Sequence, residues 1–217
     1  KLDFSYQNQN INLVSIGGAF DYSKLGCTHH SYADLSLVMH LNNSKVFIPG
    51  SKDEFSSLFK NNYKLPGIKY YKIFNKSHSF KKLKNASIIC KGKSLTIVCN
   101  GSQLDNVVKS VEKLNILNIY PEIIYYNTLK PFKDFNLIKS LSKTKKLLVI
   151  EENSSQDGML NLCLKRVNKL KDKSLNYESI SISKFIKGYG DYTTLAKANG
   201  FSVNHIVKKS KKLFYEK

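Results

Sequence analysis

The chain has 217 residues, 41% of them hydrophobic, which is enough to fill the core of one large α/β domain or of two smaller ones. Its formal net charge of +19 comes almost entirely from lysines spread along the chain, with Arg166 as the single arginine, so we predict a solvated surface and no specific nucleic-acid partner. The longest apolar runs, such as Leu147 to Ile150, fall far short of the roughly 20 residues that cross a bilayer, and we predict no membrane contact.

The cysteines stand alone in the sequence, at positions Cys27, Cys90, Cys99 and Cys163. They form no C-x-x-C pair, and no histidine lies at metal-ligand spacing from them, so we predict neither a metal site nor a disulfide framework. Reduced thiols of this kind indicate a cytoplasmic protein.

The first part of the chain alternates short apolar runs with helical patterns. A strand is predicted up to Ile16, where Gly17 and Gly18 begin a turn-rich segment. The next elements are a helix, a strand that ends before Pro49, a second short helix and a further strand. Their predicted ranges are 32–39, 46–48, 53–59 and 68–74.

A polar stretch from Asn75 to Asn85 has little apolar periodicity and is predicted to be an interdomain linker. The pattern then restarts with a strand at 95–99 and a helix whose apolar face runs from Leu104 to Leu114. Further strands are predicted at 121–126, 147–150 and 177–182, with helices around 135–141 and 159–170. Because parallel strands need crossover connections, this alternation predicts an α/β fold of two three-layer lobes with largely parallel sheets, residues 1–80 and 81–217.

One segment carries residues suited to chemistry: Gly26-Cys27-Thr28-His29-His30, with Asp34 behind it. Adjacent histidines on a loop between a strand and a helix would lie at the carboxyl edge of a sheet, where open α/β folds bind ligands. Imidazole exchanges protons near neutral pH and can hydrogen-bond a developing oxyanion. The alternative is that both histidines only cap the following helix or satisfy backbone groups of the loop.

The order of Thr28-His29-His30, Asp34, a helix, Val46-Phe47-Ile48-Pro49 and Glu54 resembles the pyrimidine-binding domain of the transketolase family. The second lobe is similar in order and spacing to the C-terminal domain of that family, through the segments 95–102, 127–131 and 148–152. Deoxyxylulose phosphate synthase is a competing relative. The loop Gly17 to Tyr22 looks more like the split transketolase-like proteins, whose two halves are separate chains.

This resemblance implies a transferase of carbohydrate metabolism that uses thiamine diphosphate and Mg²⁺ to pass a two-carbon ketol unit between sugars or sugar phosphates. It implies that His29 is the catalytic histidine and that Thr28 and His30 bind substrate. It also places Lys72 where the family often has an arginine that binds the substrate phosphate, although an ordinary exposed lysine is an equal alternative.

Three positions depart from the family pattern. Leu25 replaces a common acidic residue, Met39 an arginine and Asn42 a proline. By the same resemblance, the glutamate that activates the cofactor would precede Lys1, and the domain that binds diphosphate and magnesium has no counterpart in the chain. We therefore expect an incomplete catalyst that works as a homodimer or with a complementary N-terminal transketolase subunit. The rival hypothesis is a degenerate, non-catalytic lobe that serves assembly.

Overall fold

The computed structural model describes residues 1–168 and 174–216. After a short helical turn at Leu2–Tyr6, the strands and helices follow in this order: β1 Ile11–Ile16, α1 Asp34–Met39, β2 Ser44–Phe47, α2 Lys52–Asn62, β3 Ile68–Ile73, β4 Ser87–Cys90, β5 Leu95–Asn100, α3 Leu104–Ile116, β6 Pro121–Tyr126, β7 Thr128–Lys130, α4 Phe135–Thr144, β8 Lys146–Ser154, α5 Met159–Val167, β9 Asn176–Ile182, α6 Tyr192–Ala198 and α7 Val203–Tyr215.

The first sheet has the strand order β1-β3-β2-β7. Strand β3 lies between β1 and β2 and is parallel to both, with Ile68 opposite Ile11 on one side and Ser44 on the other. Strand β7 comes from much later in the chain and pairs with β2 in the antiparallel direction. The first sheet is therefore completed by a strand from the second half of the sequence.

The second sheet has the order β4-β6-β5-β8-β9, in which only the pairing of β4 with β6 is antiparallel. Every residue of the central strand β5 is buried. A parallel strand covered on both faces needs apolar side chains on both sides, which explains the nearly continuous run of Leu95 to Cys99.

Side chains that alternate along β5 enter two different cores. Ile97 and Cys99 pack in a cluster with α3 and α7, whereas Val98 packs in a cluster with α4 and α5. This second cluster also contains Leu35, Val46 and other apolar residues of the first lobe. The second sheet is therefore the middle layer of three, and both of its cores continue into the first lobe, the other one through Ala19 and Phe20.

The structure confirms the predicted α/β class, the largely parallel sheets and the predicted strands. The sequence did not indicate β4, β7, α6 or α7, although Asp191 and Ser202 cap the amino ends of the two missed helices with their side chains. The helix predicted to reach Leu170 is described as far as Val167, and its last two predicted residues lie outside the described residues. The domain boundary at residue 80 stays a prediction.

No helix within the described ranges is both long enough and apolar enough to cross a membrane.

Candidate functional site

The loop that carries Thr28, His29 and His30 follows the carboxyl end of β1 and consists of two tight turns, Ser23–Leu25 and Cys27–His29. Gly26 joins the turns with φ 78°, which favours glycine. A Cβ atom at Gly26 would also lie 2.2 Å from the ring of Tyr189. The loop is thus held against the segment between β9 and α6, and its sharpest turn requires glycine.

Thr28 and His29 are exposed at the tip of this loop. Thr28 Oγ1 lies 2.9 Å from His29 Nδ1, and the His29 amide donates to Gly26 O at 3.0 Å. The Tyr22 ring packs edge-on against the His29 imidazole, with 6.4 Å between the ring centroids. Because Nδ1 is engaged by Thr28, the imidazole presents Nε2, which has no hydrogen-bond partner among the described residues.

His30 lies in a different environment, because its side chain is buried and 7% exposed. Its Nδ1 contacts Ile186 O at 3.3 Å, and its Nε2 is buried without a hydrogen-bond partner among the described residues. His30 lines a cleft of about 450 Å³ between the loop and the carboxyl ends of β8 and β9. The two adjacent histidines therefore face different surroundings, one solvent and one the interior between the lobes.

Lys72 is completely buried, so the alternative of an ordinary exposed lysine was wrong. Its Nζ donates to Asp34 Oδ1 at 2.7 Å, to Ser31 O at 3.0 Å and to Asn153 Oδ1 at 3.0 Å. An ammonium group has three protons, and here each has a protein acceptor. Binding of a substrate phosphate by Lys72 stays a prediction, and it would require the ammonium group to leave one of these acceptors.

Asp34 is the first residue of α1, and its carboxylate binds both Lys72 and Tyr70. Its Oδ1 accepts from Lys72, and its Oδ2 accepts from the Tyr70 hydroxyl. Tyr70 and Lys72 are two residues apart on β3, so their side chains extend from the same face of the strand. Burial, together with the neighbouring Asp34 carboxylate, holds the pKa of the Tyr70 hydroxyl well above its ordinary value.

Glu151 and Glu152 are buried neighbours on β8, and the sequence did not identify them beyond their place in a family pattern. Glu151 is fully buried and accepts hydrogen bonds from the amides of Met159 at 2.7 Å and Leu160 at 3.0 Å, at the amino end of α5. Burial raises the pKa of its carboxyl, while these amides act in the opposite direction. An acidic pair directly after the apolar run Leu147 to Ile150 is the signal that could have revealed these two residues.

Glu152 points into a separate network. Its Oε1 accepts from Ser102 Oγ at 2.6 Å and from the side chains of Gln103 and Tyr192, whereas its Oε2 is buried without a partner among the described residues. Burial raises the pKa of the Glu152 carboxyl, and the nearby Asp21 raises it further.

The described residues contain no group of three or more His, Cys, Asp or Glu side chains that could hold a metal ion. The described donors near the loop therefore do not fit Mg²⁺. Leu25, where the resemblance expects an acidic residue, is 53% exposed beside the loop. The arrangement can orient the exposed His29 imidazole on the loop whose next residue, His30, lines the cleft.

Residues 84–206 match the family model described as "Transketolase, C-terminal domain". Among curated proteins, the chain is similar to one subunit of the apulose-4-phosphate transketolase of Actinobacillus succinogenes, with 24% identity over 170 residues. That match covers 75% of this chain and 54% of the relative, so the chain spans about half the length of this curated relative.

Solved structures share the fold. A structure described as "Split gene transketolase, inactive beta4 tetramer" matches with a TM-score of 0.86 and 18% identity, covering 97% of this chain and 69% of that one. A transketolase point mutant from Pichia stipitis matches with a TM-score of 0.77 and 14% identity, covering 97% of this chain and 31% of that one.

Proposed function

Because the chain belongs to the family of the transketolase C-terminal domain, we propose that it is part of a thiamine-diphosphate-dependent enzyme that transfers a two-carbon ketol unit between sugars or sugar phosphates. The observation that carries the proposal is the exposed His29 on a loop fixed between the two lobes. A rigid loop with an accessible imidazole suits the orientation of a reacting substrate.

In this proposal His29 acts on a substrate oxygen through Nε2. When the Thr28 hydroxyl donates to Nδ1, the proton of the neutral ring is on Nε2, which then donates a hydrogen bond to the oxygen as negative charge develops there. The contact with Thr28 orients the ring, and the edge contact with Tyr22 limits its rotation. His30 lines the cleft, and its Nε2, which has no hydrogen-bond partner among the described residues, accepts a hydrogen bond from a substrate hydroxyl.

We assign most of the binding of the cofactor and the metal to parts of the enzyme other than the described residues. The described residues offer no metal-binding cluster, so we place the donors for Mg²⁺ and for the diphosphate on a complementary N-terminal transketolase subunit. The likeness to a relative that is named as one subunit of a transketolase supports a two-subunit enzyme. A homodimer of this chain is the alternative assembly in this proposal. The free cysteines support a cytoplasmic location.

A second candidate is a non-catalytic lobe that serves assembly, and two observations favour it: Leu25 is apolar where the resemblance expects a carboxylate, and Lys72 has no free donor for a phosphate. The relative named as part of a transketolase supports ketol transfer over the reaction of a deoxyxylulose phosphate synthase.

Calorimetry tests the proposal. Thiamine diphosphate and Mg²⁺ are titrated into this chain, into an N-terminal transketolase chain of the same organism, and into their mixture. We expect binding and ketol transfer in the mixture only. A mixture that forms a complex and binds the cofactor, but transfers no ketol unit from any sugar or sugar phosphate tried, would support the assembly lobe instead. Absence of both complex and cofactor binding would reject the proposed function.

A further inference from the structure

Lys72 joins three separate elements at one point. Its acceptors are Ser31 O on the functional loop, Asp34 Oδ1 at the start of α1 and Asn153 Oδ1 on β8 of the second sheet. Ser31 directly follows His30. The Lys72 ammonium group, near the end of β3, therefore fixes the C-terminal part of the loop and connects it to the second lobe.

The positive charge of Lys72 is balanced by one carboxylate, that of Asp34. Asp34 neutralises the Lys72 ammonium, and its second oxygen is occupied by Tyr70, so the carboxylate cannot turn away without losing both partners. The acceptor on β8 is a neutral amide and not a second carboxylate. Asn153 thus completes the hydrogen bonding of the ammonium without adding another buried charge.

Strand β8 is firmly held where it meets the loop. Asn153 is completely buried, and its amide group lies 3.5 Å from Glu151 Oε2, the carboxylate that binds the first amides of α5. The next residue, Ser154, donates its backbone N–H to Tyr32 O at 2.8 Å. Two consecutive residues of β8 therefore hold two consecutive residues of the loop, one through Lys72 and one directly.

We propose that Lys72 and Asn153 are positioning residues, which hold the Thr28-His29-His30 loop in a fixed position relative to β8. Their contacts, from Ser31 O through Lys72 Nζ to Asn153 Oδ1, form a bridge between the loop and β8. This inference rests on the proposed function for its kinetic consequence, but the positioning itself is a property of the chain. His29 belongs to the first lobe, but through this bridge its position depends on β8 of the second lobe. The bridge also gives Lys72 a role that needs no contact with substrate.

Strand β3 supplies a matched control. Lys69 is also completely buried, and its Nζ also has three protein acceptors, namely Asn10 Oδ1, Leu65 O and Gly67 O, at the opposite end of the strand. Lys69→Met removes the same group from the same strand without touching the loop. If hydrogen exchange of the loop differs between Lys72→Met and Lys69→Met, the difference is due to the loss of the bridge and not to the loss of a buried lysine as such.

Hydrogen exchange followed by mass spectrometry measures the positioning directly. In the wild type the His29 amide is hydrogen-bonded to Gly26 O. We expect peptides that cover residues 27–33 to exchange about tenfold faster in Lys72→Met and in Asn153→Ala, and at the wild-type rate in Lys69→Met. Unchanged exchange in folded Asn153→Ala would overturn the proposal, even if Lys72→Met fails to fold.

Kinetics of the assembled enzyme add the second readout. We expect Asn153→Ala to lower kcat by about tenfold to a hundredfold, with equal changes for phosphorylated and unphosphorylated sugars. A loss confined to the KM of phosphorylated sugars in a Lys72 variant would overturn the positioning role, because it would show direct contact with phosphate. An inactive wild-type complex would reject the proposed function, while the exchange experiment would still decide the bridge.

Discussion

The hydroxyl of Tyr125 donates a hydrogen bond of 2.8 Å to Glu54 Oε2, and this contact joins β6 of the second sheet to α2 beside the first. The Gly50 amide donates to the same carboxylate oxygen at 2.8 Å, and His78 Nε2 lies 3.3 Å from Oε1. All four residues are buried. A polar joint, in addition to the shared apolar core, therefore connects the two lobes.

Tyr125→Phe should lower the free energy of unfolding by about 1–3 kcal/mol, because it removes a donor from a buried carboxylate and leaves that charge less well bonded. Urea denaturation measures the change. Tyr120→Phe is the matched control, since the Tyr120 hydroxyl makes one hydrogen bond on the surface, to Asn118. If both substitutions lowered the free energy of unfolding equally, the hydrogen bond between Tyr125 and Glu54 would contribute no more to stability than a surface hydrogen bond.

His29→Ala should lower kcat/KM for ketol transfer by the complete complex about 10²- to 10⁴-fold, because it removes the proposed donor to the substrate oxygen. Its thermal midpoint should stay near that of wild type, since the side chain is exposed. His40→Ala removes another exposed imidazole, one that is bonded to Ser36 O, and should leave activity unchanged. Steady-state assays of both variants check this, and full activity of His29→Ala would remove the histidine from the mechanism.

Glu152→Gln should change the dependence of stability on pH. Burial raises the pKa of the Glu152 carboxyl in the folded chain, so its contribution to stability is fully present below the ordinary glutamate pKa and is lost as pH rises through the raised pKa. Glutamine keeps the acceptor for Ser102 and does not ionise. The stability of the variant relative to wild type should therefore increase from pH 4 to pH 8.

Chemical denaturation at several pH values measures this difference. The exposed Glu112→Gln is the control and should give a difference that does not depend on pH. A flat difference for Glu152→Gln as well would contradict the raised pKa.

Gly158→Ala should destabilise the fold by about 1–3 kcal/mol, because the new Cβ atom would lie 2.4 Å from Glu151 Oε2. That carboxylate cannot withdraw without giving up the amides of Met159 and Leu160. Gly188→Ala is the comparison, since its Cβ would meet only a terminal methyl of Leu195, at the end of a flexible side chain. Thermal unfolding of the two variants checks the prediction, which fails if both lose the same stability.

The sequence predicted most of the second sheet, because its inner strands β6, β5 and β8 are buried on both faces and appear as short continuous apolar runs, such as Leu147 to Ile150. It missed β4 and β7, whose three or four residues are too few for a periodic pattern. It also missed α7, although Ile206 and Leu213 lie seven residues apart on its buried face. Pairing of β7 with β2 is a contact between distant parts of the chain, which no local pattern records.

The sequence by itself determined the α/β class, the resemblance to the transketolase family and the position of the Thr28-His29-His30 loop, since these depend on residue types in order along the chain. The tertiary structure alone decided that His29 is exposed while His30 is buried, and that Lys72 holds the loop to a residue 81 positions away. The physical reason is that the burial and the partners of a polar side chain are set by the surfaces that fold against it. Those surfaces come from distant parts of the chain.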